Sequence, residues 1–91
     1  MASTSPAYIS PVNCGSADYL QIHTIPQPGQ TAYCYANAGD VAVDIRHAEV
    51  LCAGNNDGWV AYNDWYRFHF SRNTCSYLPN HDANIYRVHI N

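Results

Sequence analysis

Cys34-Tyr35-Ala36-Asn37-Ala38-Gly39, read with Tyr19-Leu20-Gln21-Ile22-His23 ahead of it, decides the fold. Tyr33 and Tyr35 are strand-forming aromatics on either side of Cys34. Asn37, Ala38 and Gly39 then supply a corner of small residues where a positive backbone angle costs little. A corner of this kind lets a strand leave one sheet for another. Upstream, residues 19–24 alternate, with Leu20 and Ile22 on one face and Tyr19, Gln21 and His23 on the other, as a half-buried strand requires. Ile25-Pro26-Gln27-Pro28-Gly29 breaks that run and returns it as a hairpin into Thr31-Ala32-Tyr33-Cys34-Tyr35.

Beyond the corner, Val41, Val43 and Ile45 share one face of a third strand, and residues 48–52 make a fourth. Gly54-Asn55-Asn56-Asp57-Gly58 is the densest turn signal in the chain, and its Asp-Gly pair predicts a primed hairpin turn into a fifth strand at residues 59–62. Asn63-Asp64 interrupts, residues 66–70 alternate as a sixth strand, and residues 73–77 form a short seventh. Asn80-His81-Asp82 turns the chain into a last strand at residues 85–90. No stretch repeats its apolar residues every three or four positions for long enough to make a helix. About eight short strands with turns between them predict an all-β sandwich, and a weak internal echo starting near Gly58 suggests two Greek keys. Residues 1–13, with Ser3, Ser5, Pro6, Ser10 and Pro11, read as a flexible lead-in, with an edge strand at most at Ala7-Tyr8-Ile9, and residues 14–91 as the domain. The opening Met1-Ala2-Ser3-Thr4 has no apolar signal core, which suggests a mature sequence with an added initiator Met.

A chain of 91 residues makes one domain with little margin from burial alone. Its four cysteines, Cys14, Cys34, Cys52 and Cys75, include no C-x-x-C pair, and they read as two disulfides formed in an oxidising compartment outside the cytoplasm. Three pairings are open to them. Lysine is absent, and four arginines face seven carboxylates. No basic patch for nucleic acid and no cationic membrane-disrupting face can be built from that set. No apolar run reaches the length of a membrane span.

Cys14, Asp18-Tyr19-Leu20-Gln21-Ile22-His23, the Cys34 to Gly39 corner and Gly54-Asn55-Asn56 resemble, in the same order, the small secreted Streptomyces antifungal proteins with a single βγ-crystallin-type domain, and the killer-toxin-like proteins of that fold. Gly58-Trp59-Val60-Ala61-Tyr62 resembles the strand that opens the second Greek key of such domains. The resemblance covers about the first two thirds of the chain. It implies a two-Greek-key βγ-crystallin-like sandwich, secretion, a disulfide from Cys14 to Cys34, and growth inhibition of fungi through binding to cell-wall chitin. Beyond the Cys14 to Cys34 bond it implies, the resemblance leaves Cys52 and Cys75 as a pair additional to the family's, and the stretch between Tyr62 and Leu78 has no clear counterpart. Many crystallin-type domains hold calcium through paired Asn/Asp and hydroxyl residues. Here the nearest stretches, residues 44–49 and 80–85, lack the hydroxyl, and Arg46 stands where a cation would sit. The calcium motif is therefore degenerate: no cofactor is expected, calcium being the one ion for which the pattern leaves room.

Sugar rings present apolar C–H faces that stack on aromatic planes, so the aromatic group Trp59, Tyr62, Trp65 and Tyr66 is where a polysaccharide would dock. Trp59, directly after a turn, is expected in the core. Trp65 lies in the Asn63-Asp64 interruption beside groups that hydrogen-bond hydroxyls and acetamides. The expected ligand-binding set is Trp65 and Tyr66 as platform, assisted by Tyr62 and Asp64. The five histidines are scattered along the chain with no metal-ligand spacing. Catalysis finds no nucleophile elbow and no free thiol. Carboxylate pairs such as Asp64 with Asp82, or Asp57 with Glu49, read as ordinary surface charge. The expected function is that of a monomeric, non-enzymatic antifungal protein. The alternative is a secreted metalloproteinase inhibitor on the same fold, presenting the stiff loop at residues 25–29 to a protease cleft.

Overall fold

The computed structural model of the chain describes residues 9–25 and 31–91. Eight strands follow in order: β1 (Ser10–Val12), β2 (Leu20–Thr24), β3 (Ala32–Ala36), β4 (Gly39–Cys52), β5 (Gly58–Tyr62), β6 (Tyr66–Phe70), β7 (Cys75–Tyr77) and β8 (Ala83–Ile90), with one 3-10 turn at Pro79–His81. All pairings are antiparallel, in the order β1-β3-β2-β4-β8-β5-β6, with β7 against the C-terminal end of β4. Ile9 and Tyr35 from one end of that order and Phe70 from the other belong to a single core cluster. The ladder therefore folds over on itself and encloses the core from two sides, giving the expected all-β sandwich.

Alternation sets the local structure. In β2, Leu20, Ile22 and Thr24 are buried and the residues between them are not. Thr24, the one buried polar residue among the described residues, is satisfied within the hairpin: its hydroxyl donates to the Thr31 carbonyl at 3.2 Å and accepts from the Thr31 N–H at 3.0 Å. The β2–β3 hairpin forms as read, with Leu20 opposite Tyr35 and His23 opposite Ala32. At the corner after β3, Asn37 and Gly39 take the positive φ values, 73° and 139°, that carry the chain across β2 into β4. Cys14 is bonded to Cys34 and Cys52 to Cys75, the second pair facing each other across β4 and β7.

Four expectations change. The third and fourth strands are one: β4 runs unbroken through Arg46 and His47, absorbing a positive φ of 59° at His47 as register shifts against β8 rather than as a break. The Gly54 to Gly58 turn does not make a hairpin. β5 pairs with β6 and β8, so this turn is a crossover, fixed where the Asn56 amide donates to the carbonyls of Asp18 and Ala53, both at 2.9 Å. The described part of the expected lead-in, residues 9–13, is built into the sheet: β1 pairs with β3, and Ile9 is in the core, which extends the domain at least to residue 9. Residues 7 and 8 of the expected edge strand lie outside the described residues. β8 also begins at Ala83, two residues before its expected start.

The fourth strand's partner β8 carries the feature that shapes the surface. Its buried residues are Ala83 and Ile85, then Val88 and Ile90, so the burial phase slips between Ile85 and Val88. Opposite this slip, Ala61 faces Arg87 while the next residue, Tyr62, already faces Ile85. Tyr86 is the extra residue of a β-bulge, a device that bends a strand and re-aims a side chain.

Candidate functional site

Residues directly opposite in an antiparallel ladder point to the same face. Across β4, β8, β5 and β6 the register lines up Asp40, His89, Trp59 and His69 in one row, and Ala42, Arg87, Ala61 and Arg67 in the next. The inner face of β5 is taken by Val60, so Trp59 faces outward and is only half-buried, contrary to its expected place in the core. Its indole stacks on His89, with ring centroids 5.1 Å apart and planes 14° from parallel, while the Arg67 guanidinium lies 4.1 Å over the ring. Asp40 continues the row by accepting hydrogen bonds from Arg87 and from His89 Nδ1, the latter at 3.2 Å. The Arg87 hydrogen bond, with a smaller share from His89, holds the Asp40 carboxyl below the usual carboxylate range.

Trp65 joins this outer face. It ends the tight turn between β5 and β6 at φ 69°, in the left-handed region that a bulky side chain seldom occupies, and it is 68% exposed. Its ring tilts against Tyr86 from the bulge, with centroids 5.8 Å apart. Trp59, Ala61, Trp65, Arg67 and Arg87 together line an open cleft of about 230 Å³. Ala61 forms its floor because a methyl group is all that stands between the two tryptophans on that side of β5.

The expected platform therefore divides. Trp65 belongs to the cleft. Tyr66 follows it in β6, and adjacent strand residues point to opposite faces. Tyr66 accordingly pairs with Tyr62 across the hairpin, centroids 5.7 Å apart, with Tyr62 packed against the core edge next to Phe68. Tyr66 is 60% exposed, but on the other side. Asp64 is exposed in the turn. Trp59, singled out with the aromatic group but expected in the core, lies in the cleft; the residues the sequence reading missed are Tyr86, Arg67 and Arg87. Alternation from Val60 could have placed Trp59 outward, whereas the bulge and the two arginines depend on a register between distant strands.

The two stretches nearest the calcium pattern do meet, with Ala48 opposite Ala83. Three of their oxygen-bearing side chains are already engaged: Arg46 Nε lies 3.4 Å from Asp44, His47 Nδ1 lies 3.0 Å from Asp82, and the His47 N–H donates to the Asn84 amide oxygen at 3.4 Å. A hard cation does not fit there, and among the described residues no three His, Cys, Asp or Glu side chains converge to hold a metal. Asp57 is likewise committed, accepting from the Arg72 N–H at 2.8 Å and from its guanidinium at 3.0 and 3.2 Å, and these bonds hold its carboxyl below the usual range. Residues 26–30, most of the loop expected to meet a protease, lie outside the described residues.

A family model described as Beta/Gamma crystallin matches residues 22–86, from within β2 into β8. The chain belongs to the beta/gamma crystallin family. Residues 63–77, which had no counterpart in the resemblance, fall inside the match together with Trp65, and Tyr86 is its last residue. This crystallin domain is also similar in fold to the antifungal protein from Streptomyces tendae Tu901, with a TM-score of 0.74 over 91% of this chain and 99% of that one, at 21% identity. No curated protein sequence matches the chain.

Proposed function

We propose that this crystallin domain is a secreted, killer-toxin-like antifungal protein that binds fungal cell-wall polysaccharide, chitin, without catalysing a reaction. The observation that carries the reading is Trp65: a tryptophan 68% exposed, held at a left-handed backbone angle, beside a second tryptophan and a tyrosine. An exposed indole in a strained turn gives little to the core, while a sugar face stacked on it recovers apolar contact. The fold of the Streptomyces tendae antifungal protein supports the same reading, as do two disulfides that suit an oxidising exterior. Against catalysis, both cysteine pairs are oxidised, and Asp57 and Asp82 are occupied by Arg72 and His47. The domain acts as a monomer that obstructs the wall.

Sedimentation of the oxidised protein with insoluble chitin, with cellulose as control, tests this. Selective retention on chitin that is lost in Trp65→Ala, with an unchanged circular dichroism spectrum, is the expected result. Retention on neither polymer, or retention indifferent to Trp65, would remove the reading.

A further inference from the structure

Two of the chain's four arginines converge on the cleft, and they are not in the same state. Arg46, Arg72 and Arg87 each have a carboxylate partner, in Asp44, Asp57 and Asp40. Among the described residues Arg67 has none: its guanidinium lies over Trp59, 4.1 Å from the ring centroid. Stacking uses the face of a guanidinium and leaves the N–H groups along its edge free to grip a planar anion in a fork. Arg67 and Arg87 are both opposite Ala61, one on each neighbouring strand, so their backbones stand roughly 10 Å apart with only a methyl group between them. The nearest carboxylate to that gap in the register, Asp40, is already shared by Arg87 and His89.

We propose that the cleft over Ala61 takes an acidic saccharide, its ring against the exposed Trp65 and its carboxylate or phosphate held between Arg67 and Arg87. The proposal rests on reading the cleft as a sugar site, but not on chitin being the polymer. A neutral sugar would use the aromatic walls and leave the Arg67 donors to water. An anionic substituent exchanges that water for charge-assisted hydrogen bonds beside an indole that already excludes solvent on one side. The chain as a whole is acidic, with a net charge of −3, so the cleft is a local exception that would select anions at short range.

Titrations followed by tryptophan fluorescence, with trigalacturonic acid, mannose 6-phosphate and chitotriose as probes, test it at low and at high salt. At least one acidic probe is expected to bind about tenfold or more tightly than chitotriose at low salt, with the gap closing as salt is added. Comparison of the two acidic probes separates a carboxylate from a phosphate as the preferred group. Arg67→Met, which keeps a stem over Trp59, should bring the acidic probes down to the neutral one and remove their salt dependence. Ala61→Leu should fill the floor and abolish binding of all three. Equal affinity for acidic and neutral probes, or acidic binding unmoved by Arg67→Met, overturns the proposal, and chitotriose binding that still depends on Trp65 would then leave the polysaccharide reading standing. Acidic binding that needs Arg67, without any retention on chitin, supports this proposal and removes chitin instead.

Discussion

Around the C-terminal half of β4, covalent bonds hold the sheet: Cys14 is tied to β3 and Cys52 to β7. Around its N-terminal half, β8, β5 and β6 are held by register alone, with ion pairs on the surface from Asp40 to Arg87 and from Asp57 to Arg72. The cleft lies entirely in the second half. The first half carries the staples, while the second carries both indoles, two guanidinia and a bulge that turn outward. One end of the sheet thus supplies stability that needs no water-facing charge, which leaves the other free to present its charges to a ligand.

The largest way to break this division is to remove a staple. Cys14→Ser with Cys34→Ser should cost about 3 kcal/mol, on the order of 15 °C in Tm, with the circular dichroism spectrum of the folded state retained below the transition. A loss near zero would show that the stapled half holds by burial, as its counterpart does. Next comes Gly58→Ala at the seam of the cleft half. An added Cβ would sit 2.0 Å from the His89 carbonyl oxygen and 2.9 Å from the Phe70 ring, so β5 must move away from β8. A destabilisation of about 2 kcal/mol in urea unfolding is expected, with loss of saccharide binding. Native-like stability in this variant would mean the unstapled half is looser than its register implies.

Trp65→Gly should act in the opposite direction. Relief of the left-handed angle is expected to raise stability by about 1 kcal/mol while binding disappears. A fall in Tm would instead make Trp65 an anchor for Tyr86. The smallest effect concerns acid. Because Asp40 titrates lower in the folded chain, its pairing with Arg87 stabilises fully above the usual carboxylate range and is lost as pH falls through the lowered value. With the side chain 38% exposed, water screens the pair to a few tenths of a kcal/mol, roughly. Asp40→Asn should flatten that part of the acid-unfolding profile and leave stability at neutral pH only slightly reduced.

Much of the fold could be read from the chain because period-two alternation is local: Leu20 and Ile22 announce their face without reference to any partner. β4 defeated that reading because Arg46 and His47 interrupt its apolar face, while the pairing that carries the strand through them comes from residues nearly forty positions away, at Ala83 and Ile85. The site was half visible. Trp65 in its turn stood out by type and place. Tyr66 was grouped with it by proximity in sequence, although neighbours on a strand face opposite ways. Arg67 and Arg87 could not be joined at all from sequence, since only the register of three strands places both against Ala61.

β8 lies between β4 and β5 near the middle of the sheet, yet it is the last of the eight described strands to be made. A chain emerging from the ribosome can close the β2–β3 hairpin early, but β4 and β5 then wait with an open gap between them. Until residues 83–90 arrive, the apolar faces of Ile45 and Val60 have no common partner and the cooperative unit cannot form. Folding is thereby deferred until residues 83–90 have been made, and a chain drawn through a narrow pore as it is made would remain threadable up to that point.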